Sequence, residues 1–207
     1  MHKIESLFST PVYLTHRDMG LSSFELGEIK DIINKEMYEN ERNFISNGNT
    51  HIFETKLKNL KEFCEQHIET YVKEIISPEG ELNFYITQSW LNLTEPGGSH
   101  HKHAHPNSII SGVFYVATVE EDRIYFYDSN EIMKNRIEFK IREFHHYNSS
   151  IWFFNINDFD LILFPSWLQH AVKPNKKATT DRISISFNVF AKGILGWGEN
   201  FNELKVK

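Results

Sequence analysis

Leu82-Asn-Phe-Tyr-Ile-Thr-Gln-Ser-Trp-Leu-Asn-Leu93 decides the architecture of this chain. Phe84, Ile86 and Trp90 recur at even spacing, the period of an extended strand in which alternate side chains share a face. Beyond it, Glu95-Pro-Gly-Gly98 reads as a turn. Strand-like runs then follow at 108–119, 123–127, 136–144, 151–156, 160–164, 169–173 and 182–191. Some eight short strands separated by turn signals predict a mainly β domain, an antiparallel sandwich or barrel of the jelly-roll kind.

Before Leu82 the period is helical. Ser22-Ser-Phe-Glu25 has the form of a capping box, and Phe24, Leu26, Ile29, Ile32, Ile33 and Met37 follow at helical spacing. Residues 40–50, with Asn47-Gly48-Asn49, read as a loop. A second helix carries Leu57, Leu60, Phe63, Cys64, Ile68, Tyr71, Val72, Ile75 and Ile76 on one side, and Pro78 and Gly80 stop it. The expected organisation is one domain over 1–207. It has a helical layer (1–81) packed on one sheet, a β core (82–191) and a C-terminal extension (192–207).

A formal charge of −6 with scattered Lys and Arg gives no electrostatic footprint for nucleic acid. The single cysteine, Cys64, excludes a disulfide framework and lies among apolar neighbours, where it reads as core. Met1-His-Lys3 leads into a short apolar patch broken by Pro11, unlike a secretory leader, and no apolar run approaches membrane-spanning length. A soluble cytoplasmic protein with no membrane partner is expected.

The chemistry concentrates in histidines. His100, His101, His103 and His105 fall within six residues, and His170 stands alone after Leu161-Ile-Leu-Phe-Pro165. His101, His103 and His105 are spaced i, i+2, i+4, which puts three rings on one face of an extended chain. Imidazole is the commonest side-chain ligand for borderline transition metals, and ligands from two strands leave neighbouring positions open. Surface or hydrogen-bonded roles suffice for His2, His16, His51, His67, His145 and His146.

Arg182 opens the alternating strand Arg182-Ile-Ser-Ile-Ser-Phe-Asn188. An arginine turned inward must meet an anion, and Ser184 shares its face. That anion is either a ligand carboxylate or an acid of the chain, with Asp128, Asp158 and Asp160 as candidates. Tyr115 could offer a phenol hydroxyl to the same anion. Trp90, Phe114 and Trp167 are cavity or core aromatics.

Taken in order, His-x-His, Tyr, His, Arg-x-Ser resembles the Fe(II)/2-oxoglutarate-dependent oxygenases, most closely a branch common in phage and marine bacterial genomes. The resemblance rests on Trp90-Leu-Asn-Leu93, Gly97-Gly98, His103-Ala-His-Pro106, Ser111-Gly-Val-Phe-Tyr-Val116, Asp160-Leu-Ile-Leu-Phe-Pro-Ser-Trp-Leu-Gln-His170 and Arg182-Ile-Ser-Ile-Ser-Phe-Asn188. It implies a double-stranded β-helix (a jelly roll, cupin-like) that binds Fe(II) and uses 2-oxoglutarate as co-substrate. His103 and His170 match the family's two histidine ligands, and His105 stands where a carboxylate usually completes the set. A slip to His101-x-His103, or a carboxylate from Glu95 or Asp128, would give a different set. Arg182 and Ser184 match the pair that holds the distal carboxylate of 2-oxoglutarate, with Tyr115 as helper.

The implied activity is oxidative decarboxylation of 2-oxoglutarate coupled to hydroxylation, with molecular oxygen and a small-molecule or peptide substrate as partners. Two other classes fit the same residues. A zinc-dependent hydrolase or lyase could use the three histidines without Arg182, and a non-enzymatic jelly-roll module could use them structurally or not at all. Leu195, Trp197 and Phe201 could meet a second subunit, giving a homodimer.

Overall fold

The computed structural model describes residues 2–80, 82–129, 139–196, 198–200 and 202–204. Its elements, in chain order, are β1 (Tyr13–His16), α1 (Ser23–Lys35), β2 (Tyr38–Asn40), β3 (Asn43–Ile45), α2 (Lys58–Tyr71), β4 (Asn83–Thr94), β5 (His100–His103), β6 (Ile110–Ala117), β7 (Arg123–Tyr127), β8 (Ile151–Asn155), β9 (Asp160–Pro165), β10 (His170–Val172), β11 (Arg182–Leu195) and β12 (Asn202–Leu204).

Two antiparallel sheets face each other. The larger runs β1-β9-β6-β11-β4-β3-β2, with β12 paired to the end of β11, and the smaller runs β5-β10-β7-β8. This is the jelly roll that the strand pattern predicted and the double-stranded β-helix that the family resemblance implied.

Alternation along β6 and β9 shows why both faces are apolar. Phe114, Val116, Leu161 and Leu163 pack outward with Ile29, Ile32, Leu60, Cys64 and Ile68 of the helices. Val113, Tyr115, Ile162 and Phe164 turn inward against Ile124, Phe126 and Leu168. A strand covered on both sides reads as a continuous apolar run rather than as strict alternation. Burying each such side chain contributes about 1.5–3 kcal/mol, so the helical layer is part of the core. Cys64 is fully buried in it, and its thiol is pushed far up by burial.

Helix α1 begins as expected. The Ser22 hydroxyl takes the Glu25 amide at 3.2 Å, and the Glu25 carboxylate takes the Ser22 amide at 2.8 Å. Such a cap stabilises by about 1 kcal/mol. The second helix passes from α2 into a wider turn at Val72–Ile76 and ends at Ser77 in the left-handed region, one residue before Pro78. The turn at Glu95–Gly98 has Pro96 and then Gly97 at φ +79°, and closes through Gly98 N–H to Glu95 O at 2.8 Å. That is a type II turn, whose third position favours glycine.

Several sequence expectations need correction. Residues 40–50 contain β3 and the turn of a β2–β3 hairpin, which extends the larger sheet through Phe44↔Leu93 and Ile45↔Asn92. The hairpin is too short for periodicity to register. Tyr13–His16 likewise forms an edge strand on β9. The strand expected at 136–144 falls partly outside the described residues, and 139–144 contain none. Strand β11 continues past residue 191 to Leu195. Trp197 and Phe201 lie outside the described residues. Among those described, no helix is long and apolar enough to cross a membrane.

Candidate metal centre

Strand β10 is hydrogen-bonded between β5 and β7, with His170 opposite His103 on one side and Phe126 on the other. The ladder skips a residue: His170 pairs with His103 and Val172 with His100, so three steps on β5 answer two on β10. Such a bulge rotates the chain by one position. As a result His100 joins His103 on the inner side, their rings stacked at 4.4 Å and 21°. His101 instead turns to the surface beside Glu41, 3.3 Å away.

The three rings expected on one face are therefore not His101, His103 and His105. His105 lies just beyond β5, its amide held by the Ser166 carbonyl at 2.9 Å. Behind that contact, the Ser166 hydroxyl bonds to those of Ser108 and Ser111, and Ser111 donates to Asn188. This buried network ties the His105 loop to the loop that precedes His170.

His103, His105 and His170 converge, with one ring nitrogen from each lying within 4.8 Å of the others. His105 Nε2 and His170 Nε2 are 3.3 Å apart. Two nitrogens bound about 2.0–2.1 Å from one ion would stand roughly 3.0–3.4 Å apart. His103 Nδ1 meets the His101 carbonyl at 2.8 Å and His170 Nδ1 the Leu168 carbonyl at 3.0 Å. A carbonyl only accepts, so both rings carry their proton on Nδ1 and present the Nε2 lone pair to the cluster. This outer hydrogen bond is what orients a metal-binding imidazole.

Burial favours the neutral form of His100, His103, His105 and His170. Burial, reinforced by the neighbouring rings, pushes His105 down to about 4 and His100 to about 3. Burial also holds His170 well below its ordinary value, and lowers His103 against the bond to His101. A neutral imidazole is the form that binds a metal. Among the described residues the second such group is His100, His101 and His103, and no carboxylate joins either group. The alternative sets with Glu95 or Asp128 do not form.

Arg182, Ser184 and Tyr115 come from the larger sheet, on the facing wall of the sandwich. Ser184 stands opposite Tyr115 on β6 and opposite Asn92 on β4. Arg182 is buried, its charge over the Tyr115 ring at 5.0 Å, and its Nη1 donates to the Ser184 hydroxyl at 3.3 Å. It also has an acid of the chain, though none of the three expected. Its Nε donates to both oxygens of Asp122, at 3.0 and 2.8 Å. Asp158 instead binds Thr118, and Asp160 binds Asn157 and His16.

The Tyr115 hydroxyl is fully buried without a well-formed hydrogen bond, and burial raises its pKa despite the nearby guanidinium. An orphaned buried hydroxyl costs about 1–3 kcal/mol and calls for a missing partner. His103, His105, His170, Tyr115, Arg182 and Ser184 all line one narrow cavity of about 30 Å³. A wider cavity of about 230 Å³ adjoins it, and the two share Thr94, Val172 and Arg182.

Sequence reasoning missed the inward turn of His100, which depends on the bulge, and Asp122, which stands sixty residues before the arginine it meets. Of the three aromatics, Trp90 lines the cavity with its ring 5.7 Å from His105. Phe114 is core on the helix side and Trp167 is exposed.

The family model described as "Putative 2OG-Fe(II) oxygenase" matches residues 88–188, the stretch that holds all six of these side chains. Over residues 88–188 the chain is therefore similar to the 2OG-Fe(II) oxygenase family. Fe(II) and 2-oxoglutarate are the cofactors named in that family's description.

Solved oxygenase structures share its fold. The alpha-ketoglutarate-dependent epimerase SnoN from nogalamycin biosynthesis aligns with a TM-score of 0.63 at 10% identity, over 87% of this chain and 78% of that one. A Pseudomonas putida prolyl-4-hydroxylase aligns at 0.54 and 12%, over 87% and 93%. HygX from Streptomyces hygroscopicus, with nickel and 2-oxoglutarate bound, aligns at 0.55 and 9%, over 87% and 82%. No curated protein matches the sequence.

Proposed function

We propose that the chain is an Fe(II)- and 2-oxoglutarate-dependent dioxygenase that hydroxylates a small-molecule or peptide substrate. The observation that carries this reading is one cavity whose smaller-sheet wall offers three neutral imidazoles and whose larger-sheet wall offers a buried guanidinium, a hydroxyl and an orphaned phenol.

His103, His105 and His170 are the residues that hold the ion. Bound there with 2-oxoglutarate, Fe(II) supplies the oxidising chemistry, oxidative decarboxylation coupled to hydroxylation with molecular oxygen. The chain supplies orientation and dryness. With no carboxylate in the set, the ion keeps its full formal charge until the dianionic co-substrate arrives. A neutral-ligand site thus favours an anionic partner.

Arg182 and Ser184 take the distal carboxylate. A guanidinium has five N–H donors. Asp122 uses the one on Nε and Ser184 one on Nη1, so three remain for a co-substrate. Tyr115 donates its unpartnered hydroxyl to the same carboxylate. Asp122 holds the fork in plane, which lowers the entropy lost on binding.

Succinate release from 2-oxoglutarate in the presence of Fe(II) and oxygen, without added substrate, tests the reading. The wild-type protein is expected to release succinate and His170→Ala to release none. Turnover with Zn(II) alone on an ester or lyase substrate, and none with Fe(II), would replace this reading with a hydrolytic one.

A further inference from the structure

We propose that His100, His101 and His103 form an outer divalent-cation site, flanked by the Glu41 carboxylate, which shares His103 with the inner cluster and hands an ion to it. The hand-over rests on the inner cluster being the metal site, as argued above; the outer site does not.

The outer group is built as tightly as the inner one. One ring nitrogen from each of His100, His101 and His103 lies within 4.8 Å of the others. Ring centroids are 5.2 Å apart for His100 and His101, 4.4 Å for His100 and His103, and 5.1 Å for His101 and His103. Strict alternation would separate His100 from His103. The bulge opposite His170 and Val172 brings them to one side.

Glu41 is placed from another part of the chain. It sits at the β2–β3 turn with φ +54°, and the next residue, Arg42, accepts the Ser99 amide at 3.1 Å through its carbonyl. That bond ties the hairpin tip to the start of β5, which brings the Glu41 carboxylate to 3.3 Å from His101 Nδ1. An exposed His–Glu pair contributes little to stability, and a pair alone would leave the His100–His103 stack unexplained. Imidazoles suit Co(II), Fe(II), Ni(II) or Zn(II), and the Glu41 carboxylate beside His101 would draw such a cation toward them without joining the three-ring group.

The histidines also form a gradient of access. His101 is about half exposed and His170 is 6% exposed, with His103 between them in both groups. His103 Nδ1 is committed to the His101 carbonyl, so only Nε2 can bind a metal. One ion at a time can use it. An ion captured outside can exchange His100 and His101 for His105 and His170 without leaving His103.

Anaerobic Co(II) titration, read by calorimetry and visible absorption, tests this on wild type, His170→Ala, His101→Ala, Glu41→Gln and the His101→Ala/His170→Ala double variant, each checked for fold by circular dichroism. Wild type should bind one equivalent. His170→Ala should still bind one, about 10–100-fold more weakly, and adding His101→Ala should weaken it about tenfold or more again. His101→Ala and Glu41→Gln alone should keep wild-type affinity but load about tenfold more slowly in stopped-flow mixing. A double variant that binds like His170→Ala overturns the outer site, and wild-type loading rates in both single variants overturn the hand-over. If His170→Ala binds as tightly as wild type, the inner-site reading falls while the outer site stands.

Discussion

Arg182 shares its Nε proton between both carboxylate oxygens of Asp122, at 3.0 and 2.8 Å, with both side chains almost wholly buried. The pair joins the first residue of β11 to the residue just before β7, one from each sheet. It therefore fixes the arginine at the wall facing the histidines.

Removing one partner of a buried pair leaves the other charge uncompensated, at a cost of about 3–5 kcal/mol. Asp122→Asn is expected to lose stability of that order in urea unfolding. Saturating 2-oxoglutarate should recover much of it, because the dianion then meets the freed guanidinium. An equal loss with and without the co-substrate would make the pair purely structural.

Tyr115→Phe removes the orphaned hydroxyl. Without ligand the variant should melt at or above the wild-type temperature, since an unsatisfied buried hydroxyl is a burden of about 1–3 kcal/mol. With 2-oxoglutarate present the order should reverse, affinity falling about tenfold for one lost hydrogen bond. Differential scanning fluorimetry with and without 2-oxoglutarate checks both signs. A loss of stability in the free protein would show that the hydroxyl already has a partner.

Burial on one face shows as alternation and burial on both as a continuous apolar run, so β4 and β11 were readable from Phe84, Ile86 and Ile183–Phe187, and β9 from Leu161–Phe164. His103, His105 and His170 were readable as chemistry because histidines clustered in sequence need a reason. What stayed hidden depends on partners far away in the chain. The inward turn of His100 follows from a bulge against Val172, and Asp122 meets Arg182 only because the two sheets close on each other. The strands β2 and β3, of three residues, and β5, of four, carry too few positions for a period to show.

Gly112 sits opposite Phe187 in the β6–β11 register, and a Cβ there would overlap the phenyl ring. Gly112→Ala is expected to destabilise by about 1–3 kcal/mol through overpacking. Phe187→Leu in the same chain should restore part of it. A shift in urea midpoint measures both, and an unchanged midpoint for Gly112→Ala would contradict the packing described here.

The buried pair of Arg17 and Glu25, 3.0 Å apart, gives the fold an acid sensitivity. Burial alone would raise the Glu25 carboxyl, but the Ser22 amide, Arg17 and the Ser22 hydroxyl together hold it below its ordinary value of 4.5. With the folded value depressed, the unfolded chain takes up the proton first. The stabilisation is then present above the unfolded value and is lost as pH falls through the folded one. Glu25→Gln should be less stable at neutral pH, with a flatter decline below pH 4.5. A parallel decline in both proteins would remove Glu25 from the account.

The central claim is that the His103, His105 and His170 cluster and Arg182 serve one metal and one co-substrate. Anaerobic addition of Fe(II) and then 2-oxoglutarate, followed by visible absorption, tests it most directly. The wild-type protein is predicted to develop a weak charge-transfer band that needs both components and that is lost in His170→Ala. A folded, iron-loaded protein without that band, or a band unchanged in His170→Ala, would contradict it.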